Sequence, residues 1–157
     1  MPKVTPFLWF DTQAEEAAKF YTSIFKNSKM GGVARYGDDM PGKAGSVLTA
    51  SFEIEGVEYT ALNGGPNHNF TDAISFVVHC ETQEEVDYYW SRLLEGGTPQ
   101  QCGWLTDRFG VSWQVLPTIL PQMLREGDAV KADRVMKALL PMVKFDIAAL
   151  RRAYEEE

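Results

Sequence analysis

An internal repeat is the feature that most constrains the fold of this chain. Residues 10–17 (FDTQAEEA) recur loosely as residues 80–86 (CETQEEV), and Thr12 and Thr82 are 82 − 12 = 70 positions apart. A second echo pairs residues 56–62 (GVEYTAL) with residues 110–116 (GVSWQVL), at an offset of 110 − 56 = 54. Such self-similarity is typical of one structural unit that occurs twice. We therefore expect the two halves to adopt the same fold.

Each copy is predicted to begin with a strand and a helix. The first strands, residues 6–10 and 74–79, are enriched in β-branched and aromatic residues. Thr12 with Glu15, and Thr82 with Glu85, have the spacing of capping boxes at the start of a helix. Apolar residues then recur every three or four positions, which indicates a helix face turned toward a core.

Three further strands complete each copy. They are predicted at about 30–36, 46–54 and 57–63 in the first copy, and at about 98–102, 103–107 and 111–116 in the second. The second copy is shorter because the Gly/Pro-rich residues 36–45 have no counterpart in it.

After Pro117 the pattern changes to helix, and Asp128 and Asp146 are predicted N-caps. The predicted fold class is α+β, with two βαβββ modules at about 1–66 and 72–117. Residues 118–157 are expected to be a helical extension of the same domain.

Composition excludes several classes of partner. The net charge is 15 − 22 = −7, whereas proteins that bind nucleic acid carry a basic face. No apolar stretch approaches the roughly 18 residues of a membrane helix, and the first residues lack a signal-peptide pattern. Two cysteines make neither a disulfide framework nor a thiolate zinc site. We expect a reduced, cytoplasmic protein that binds neither nucleic acid nor membrane.

The doubled βαβββ unit resembles the vicinal oxygen chelate superfamily, which includes glyoxalase I and the bleomycin- and fosfomycin-resistance proteins. Residues 5–11 (TPFLWFD), 17–21 (AAKFY), 62–66 (LNGGP), 103–114 (GWLTDRFGVSWQ) and 142–150 (MVKFDIAAL) are similar to a narrower family, the PhnB-like proteins. That family is also labelled 3-demethylubiquinone-9 3-methyltransferase. The resemblance implies an open, barrel-like sheet whose concave side forms a ligand groove. It also implies a homodimer.

The superfamily enzymes hold one metal in that groove, with ligands from the first and last strand of each module. By resemblance, the first-strand places fall on Pro6 (or Thr5) and on Ala73, and the last-strand places fall on Thr60 and Gln114. Proline and alanine have no ligating side chain, and neutral Thr and Gln are poor ligands beside His and carboxylate. We therefore predict no metal and no cofactor.

A small-molecule pocket is the alternative use of the groove. Strand alternation places Ser112, Gln114 and Leu116 on one face, and the repeat matches this set to Glu58, Thr60 and Leu62. An apolar pocket with a few polar groups is typical of ligand sites. The residues predicted to bind the ligand are Thr60, Ser75, Gln114, His79 and Trp104. His79 is alternatively a hydrogen-bonded structural histidine, and Trp104 is alternatively part of the core.

Other chemistry-bearing residues have simpler interpretations. His68 stands in a loop of Gly, Pro and Asn, where it is either an exposed loop residue or an acid–base group. Asp107 is interpreted as the start of a hairpin turn, and Cys80 and Cys102 as small buried residues.

The leading hypothesis is metal-independent binding of a small organic molecule in the concave groove. One alternative is a metal-dependent lyase or dioxygenase of the glyoxalase type. The other is a methyltransferase acting on a quinone-like substrate, as the family label suggests. The second alternative lacks a glycine-rich turn between a strand and a helix, which a nucleotide-type cofactor fold requires.

Overall fold

The computed structural model describes residues 2–126 and 128–156, and the chain divides into two compact units. Unit 1 runs to Phe70 and unit 2 starts at Thr71. The elements of unit 1 are β1 (Phe7–Phe10), α1 (Ala14–Ile24), β2 (Ser28–Arg35), β3 (Val47–Ile54) and β4 (Val57–Asn63). Those of unit 2 are β5 (Ser75–Cys80), α2 (Gln83–Leu94), β6 (Thr98–Pro99), β7 (Trp104–Thr106), β8 (Ser112–Pro117), α3 (Ile119–Glu126), α4 (Ala129–Leu139) and α5 (Ile147–Glu155).

Both units contain a four-stranded open sheet with the same strand order. The orders are β1-β4-β3-β2 and β5-β8-β7-β6, with the first strand parallel to the last and the other pairs antiparallel. Phe7 pairs with Thr60 in unit 1, and Val77 pairs with Gln114 in unit 2. The second register follows from the first by adding the repeat offsets, 7 + 70 and 60 + 54. The predicted α+β class with two βαβββ modules is confirmed.

One face of each sheet is packed against the helix of its own unit. In unit 1, the Tyr21 ring of α1 lies 5.7 Å from the Phe52 ring of β3, which stacks on Tyr59 of β4. In unit 2, Trp90 of α2 and Trp113 of β8 are both buried. Because successive strand residues point to opposite faces, the other face of each sheet carries the alternate side chains.

The start of α1 differs from the prediction. The expected capping box of Thr12 and Glu15 is wrong: Gln13 is the N-cap residue and its side chain makes no capping hydrogen bond. Instead, the backbone N–H of Ala14 donates to the side-chain oxygen of Asn63, at 2.8 Å. Asn63 ends β4, so the cap comes from the neighbouring strand rather than from the local sequence.

The start of α2 follows the prediction. The Thr82 hydroxyl accepts from the backbone N–H of Glu85 at 3.2 Å, and the Glu85 carboxylate accepts from the N–H of Glu81 at 3.1 Å. The predicted N-caps of α4 and α5 are also confirmed, since Asp128 accepts from Lys131 N–H and Asp146 accepts from Ala149 N–H.

The strand expected at 98–102 is shorter than predicted, because β6 ends at Pro99. Cys102 and Gly103 have positive φ angles of 58° and 81°, which an extended strand does not adopt. A Cβ on Gly103 would lie 2.4 Å from the Phe145 ring, so this position needs glycine for space as well as for its backbone.

The helical tail belongs to unit 2. Its core cluster consists of Leu120, Met123, Val135, Leu139, Phe145 and Leu150. The Gln83 side chain on α2 holds the segment before α5: its amide donates to Phe145 O at 2.9 Å, and its oxygen accepts from Ile147 N–H at 2.8 Å. Lys144 pairs with Asp87 at 2.8 Å, and this contact lowers the pKa of the Asp87 carboxyl.

Asp107 is a turn residue, as the sequence indicates, but it is also only 3% exposed. Its carboxylate accepts from the backbone N–H groups of Phe109 and Val111 at 2.9 and 3.0 Å, and from Trp113 Nε1 at 2.8 Å. Buried carboxylates need such donors. Asp107 therefore holds the turn that joins β7 to β8.

Within the described ranges, no helix is both long and apolar enough to cross a membrane.

The two helix starts give a testable difference between the units. Asn63→Ala removes the α1 cap and a 3.1 Å hydrogen bond to Val47 O, so we expect a loss of about 1–2 kcal/mol in the free energy of unfolding. Thr82→Ala is expected to cost about 1 kcal/mol. Thr12→Ala is the matched control and is expected to stay within about 0.5 kcal/mol of wild type. Urea denaturation measures all three, and an equal cost for Thr12→Ala and Thr82→Ala would show that the first capping box does form.

Candidate functional site

The sheet faces turned away from α1 and α2 carry the residues predicted to bind a ligand. We call these the open faces. On the open face of unit 1, Phe7 and Trp9 of β1 lie beside Thr60 and Leu62 of β4. On the open face of unit 2, the corresponding residues of β5 and β8 are Ser75, Val77, His79, Ser112, Gln114 and Leu116.

The structure joins two of the predicted residues directly. Gln114 Nε2 donates to the Ser75 hydroxyl oxygen at 2.9 Å, and both side chains are half-buried. This bond holds one end of the carboxamide. Its carbonyl oxygen has no partner among the described residues and can accept a hydrogen bond from a ligand.

Trp104 and His79 lie on either side of this pair. Trp104 of β7 is the cross-strand neighbour of Gln114, and it is half-buried rather than part of the core. His79 of β5 pairs with Leu116, which lies two residues beyond Gln114 on β8. The His79 side chain is exposed. The open face of unit 2 therefore offers an aromatic ring, an imidazole and a neutral amide–hydroxyl pair.

Thr60 occupies the equivalent place in unit 1. It pairs with Phe7 on one side and with Ser51 on the other, and all three lie on the open face. Phe7 is 61% exposed, and its counterpart Val77 is 38% exposed. Sequence reasoning did not select this apolar pair, although adding the 70-residue offset to position 7 identifies it.

The places predicted by resemblance to correspond to the superfamily's metal ligands carry side chains that are poor metal ligands. Thr60 and Gln114 supply only neutral oxygen and nitrogen atoms. Pro6 and Ala73 have no ligating side chain, and both lie before their strands, which begin at Phe7 and Ser75. In residues 2–126 and 128–156, no group of three His, Cys, Asp or Glu side chains could hold a metal ion.

The remaining candidates do not assemble a nucleophile. Cys80 is fully buried, and burial, together with the nearby Glu85 carboxylate, raises the pKa of its thiol to about 12. A thiol with so high a pKa is a poor nucleophile at neutral pH. Cys102 is not fully buried, and its sulfur contacts the backbone carbonyl of Leu140 at 3.5 Å.

His68 is an exposed loop residue that packs on an aromatic ring. Its ring meets the Trp9 ring edge-on, with 4.6 Å between centroids. Trp9 in turn donates from Nε1 to Gly65 O at 2.9 Å and covers Gly64, where a Cβ would lie 2.4 Å from the indole. His68 therefore adds an aromatic contact to Trp9 on the open face of unit 1.

Comparison with known proteins gives a consistent family. The 3-demethylubiquinone-9 3-methyltransferase family matches residues 2–116, so α3, α4 and α5 lie outside the match. The PhnB protein from Bacillus cereus is 40% identical, with a TM-score of 0.68, over 74% of this chain and 100% of that chain.

Two more distant structures share the fold alone. Protein PA1353 from Pseudomonas aeruginosa is 22% identical, with a TM-score of 0.62, over 74% of this chain and 98% of its own. The fosfomycin resistance protein FosX from Listeria monocytogenes, solved with Mn(II) and a sulfate ion, is 17% identical, with a TM-score of 0.51, over 73% and 92%. A search of curated proteins found no match.

The match over residues 2–116, the identity to the Bacillus cereus protein and the doubled βαβββ fold agree. The chain belongs to the PhnB-like family, described as 3-demethylubiquinone-9 3-methyltransferase, and has the vicinal oxygen chelate fold.

Proposed function

We propose that this protein binds a small organic molecule on its open sheet faces, without a resident metal. The observation that carries the proposal is the hydrogen bond from Gln114 to Ser75. It fixes a neutral amide on the sheet face turned away from α2, and it leaves the amide oxygen available for a ligand.

The neighbours of Gln114 support an apolar ligand with a polar group. Val77 of β5 and Trp104 of β7 flank the amide on the adjacent strands, and neither is buried. Leu116, two residues further along β8, is partly buried and packs against the apolar cluster of the tail. Ligand sites of this kind take most of their affinity from apolar contact and their orientation from a few polar groups. The net charge of −7 favours the approach of a cationic molecule over an anionic one. Salt screens this attraction beyond about 8 Å.

Absence of a metal is part of the proposal, and it rests on the donor set. FosX is described in complex with Mn(II), and metals of this kind prefer carboxylate and imidazole ligands. The equivalent places here carry hydroxyl and carboxamide groups, which orient a ligand without holding a dication against water. No observation on these faces favours the lyase or dioxygenase alternative.

The methyltransferase in the family description has no matching cofactor site among the described residues. Nucleotide-type cofactors bind where a glycine-rich turn leads from a strand into a helix. Here β1 reaches α1 through Asp11, Thr12 and Gln13, and β5 reaches α2 through Glu81 and Thr82. Neither connection contains glycine.

Native mass spectrometry of freshly purified protein is the direct test. We expect an organic molecule to copurify with the protein, at an occupancy of no more than one molecule per binding site. Gln114→Ala should weaken its binding by roughly 1–3 kcal/mol, because a polar group of the ligand loses its partner. Gln101→Ala, which alters an exposed glutamine in the turn before β7, is the matched control and should bind as wild type.

Two outcomes contradict the proposal. One is equal affinity in Gln114→Ala and Gln101→Ala, which would place the ligand elsewhere. The other is unfolding of Gln114→Ala, since the side chain would then support the core rather than the site. Circular dichroism of each variant distinguishes these outcomes.

We also propose that the chain forms a homodimer and resides in the cytoplasm. Among the strands of the described residues, β1 pairs only with β4, so it is an edge strand, and Phe7 on it is 61% exposed. Open edges with exposed apolar side chains are usually covered by a partner.

Light scattering tests the dimer. The wild-type mass is expected at twice 17.6 kDa. Phe7→Glu is expected to shift it toward the monomer, because a carboxylate would be buried at the interface. Val130→Glu, at a position on α4 with similar exposure (64%), is the control and should remain dimeric. A wild-type protein that stays at 17.6 kDa would contradict the dimer.

A further inference from the structure

The two units differ at the start of their first helices, and unit 2 serves as an internal control for unit 1. In unit 2, Thr82 and Glu85 are both engaged in capping α2. In unit 1, Asn63 caps α1, so the equivalent Thr12 and Glu15 take no part in capping. Among the described residues, Glu15 has only one ion pair, a 4.0 Å contact with the exposed Lys19, which is worth little.

A second difference lies at the same place. The segment 36–45 between β2 and β3 has no counterpart in unit 2, and backbone hydrogen bonds hold its ends together. Tyr36 N–H donates to Ser46 O at 2.9 Å, and Gly45 N–H donates to Tyr36 O at 2.9 Å. The Tyr36 hydroxyl donates to the backbone oxygen of Asn63, which anchors the segment to the end of β4.

These two differences meet in one cleft. It has a volume of about 520 Å³, within the range of small-molecule sites. Its lining comes from the turn into α1, the end of β4 and the inserted segment: Asp11, Thr12, Glu15, Tyr36, Pro41, Gly42, Lys43, Ser46, Val47, Asn63, Gly64 and Gly65. Thr12 and Glu15, which α1 does not use for capping, therefore line a half-open cleft that the insertion borders.

The charges of the lining are divided between the two walls. Asp11 and Glu15 come from the α1 side, and Lys43 comes from the inserted segment. The Tyr36 ring is held against Gly42, where a Cβ would lie 2.5 Å from the ring. The cleft thus combines two carboxylates, one ammonium and an aromatic surface, all in unit 1 and on different residues from the open-face site.

We propose that this cleft binds a small zwitterion carrying a protonated amine and a carboxylate. The amine is held by Asp11 and Glu15, because charge-assisted hydrogen bonds to carboxylates are the strongest that the lining offers. The carboxylate of the ligand is oriented by Lys43. Thr12 supplies a hydroxyl that either donates or accepts. This site is separate from the ligand site proposed on the open faces, and its test does not depend on that proposal.

The test is a titration followed by amide NMR of the ¹⁵N-labelled full chain. The zwitterionic probes are glycine, 4-aminobutyrate and L-lysine, and the single-charge controls are butylamine and butyrate. We expect at least one zwitterion to shift the amide signals of Ala14, Gly42 and Gly64 saturably, and to bind more tightly than either single-charge control. Glu15→Gln should weaken that binding about tenfold or more. Glu16→Gln, on the same turn but outside the lining, should change it less than twofold.

Three outcomes overturn the proposal. One is the absence of saturable shifts at the three cleft amides with every zwitterion. Another is butylamine binding as tightly as the zwitterions, because Lys43 would then contribute nothing to the affinity. The third is an equal loss in Glu15→Gln and Glu16→Gln, which would indicate a diffuse charge effect. Amide spectra of the two variants without probe confirm that each remains folded.

Discussion

Parallel pairing of the first strand of each unit with its last strand is the constraint on which the rest of the structure depends. It places β1 beside β4 and β5 beside β8, so residues distant in sequence share one face. The helix between them packs on the opposite face. Because the side-chain period of a strand is two, the register alone decides that Thr60 and Gln114 lie on open faces while Ala61 and Val115 are buried. A slip of one residue would exchange the two sets.

The fold was largely predictable because its signals are local or repeated. Thr82, Asp128 and Asp146 cap helices through hydrogen bonds to N–H groups three residues away, so the sequence shows both partners. The equivalence of the two units could be predicted, and the 70- and 54-residue offsets also relate the registers of their parallel pairs. The position of Gln114 beside Ser75 follows from that register and from alternation.

Two differences from the prediction involve a partner far away in sequence. Thr12 and Glu15 form a good capping pattern, but Asn63 competes successfully from β4. The segment after β6 is held by the tail, because Cys102 N–H donates to Met142 O and Gly103 N–H donates to Val143 O. Ala73 was given a first-strand place through resemblance, and it lies two residues before β5. Asp107 is a different case, because its partner Trp113 is close in sequence but comes within reach only in the folded hairpin.

The family description and the open faces indicate different chemistry. A metal site or a transferase needs charged ligands or a phosphate-binding turn, and the superfamily places of this chain carry neutral groups instead. The fold supplies a scaffold, and the residues on its open faces decide the activity. We propose that those residues here recognise an organic molecule through apolar contact and hydrogen bonds.

Titration with Mn(II), followed by the electron paramagnetic resonance signal of the free ion, tests the absence of a metal most directly. We predict that the free-ion signal rises linearly with added metal, with no stoichiometric loss in the wild-type protein and the same result in Gln114→Ala. Stoichiometric binding in the wild type that is lost in Gln114→Ala would contradict the account, because Gln114 would then be a metal ligand.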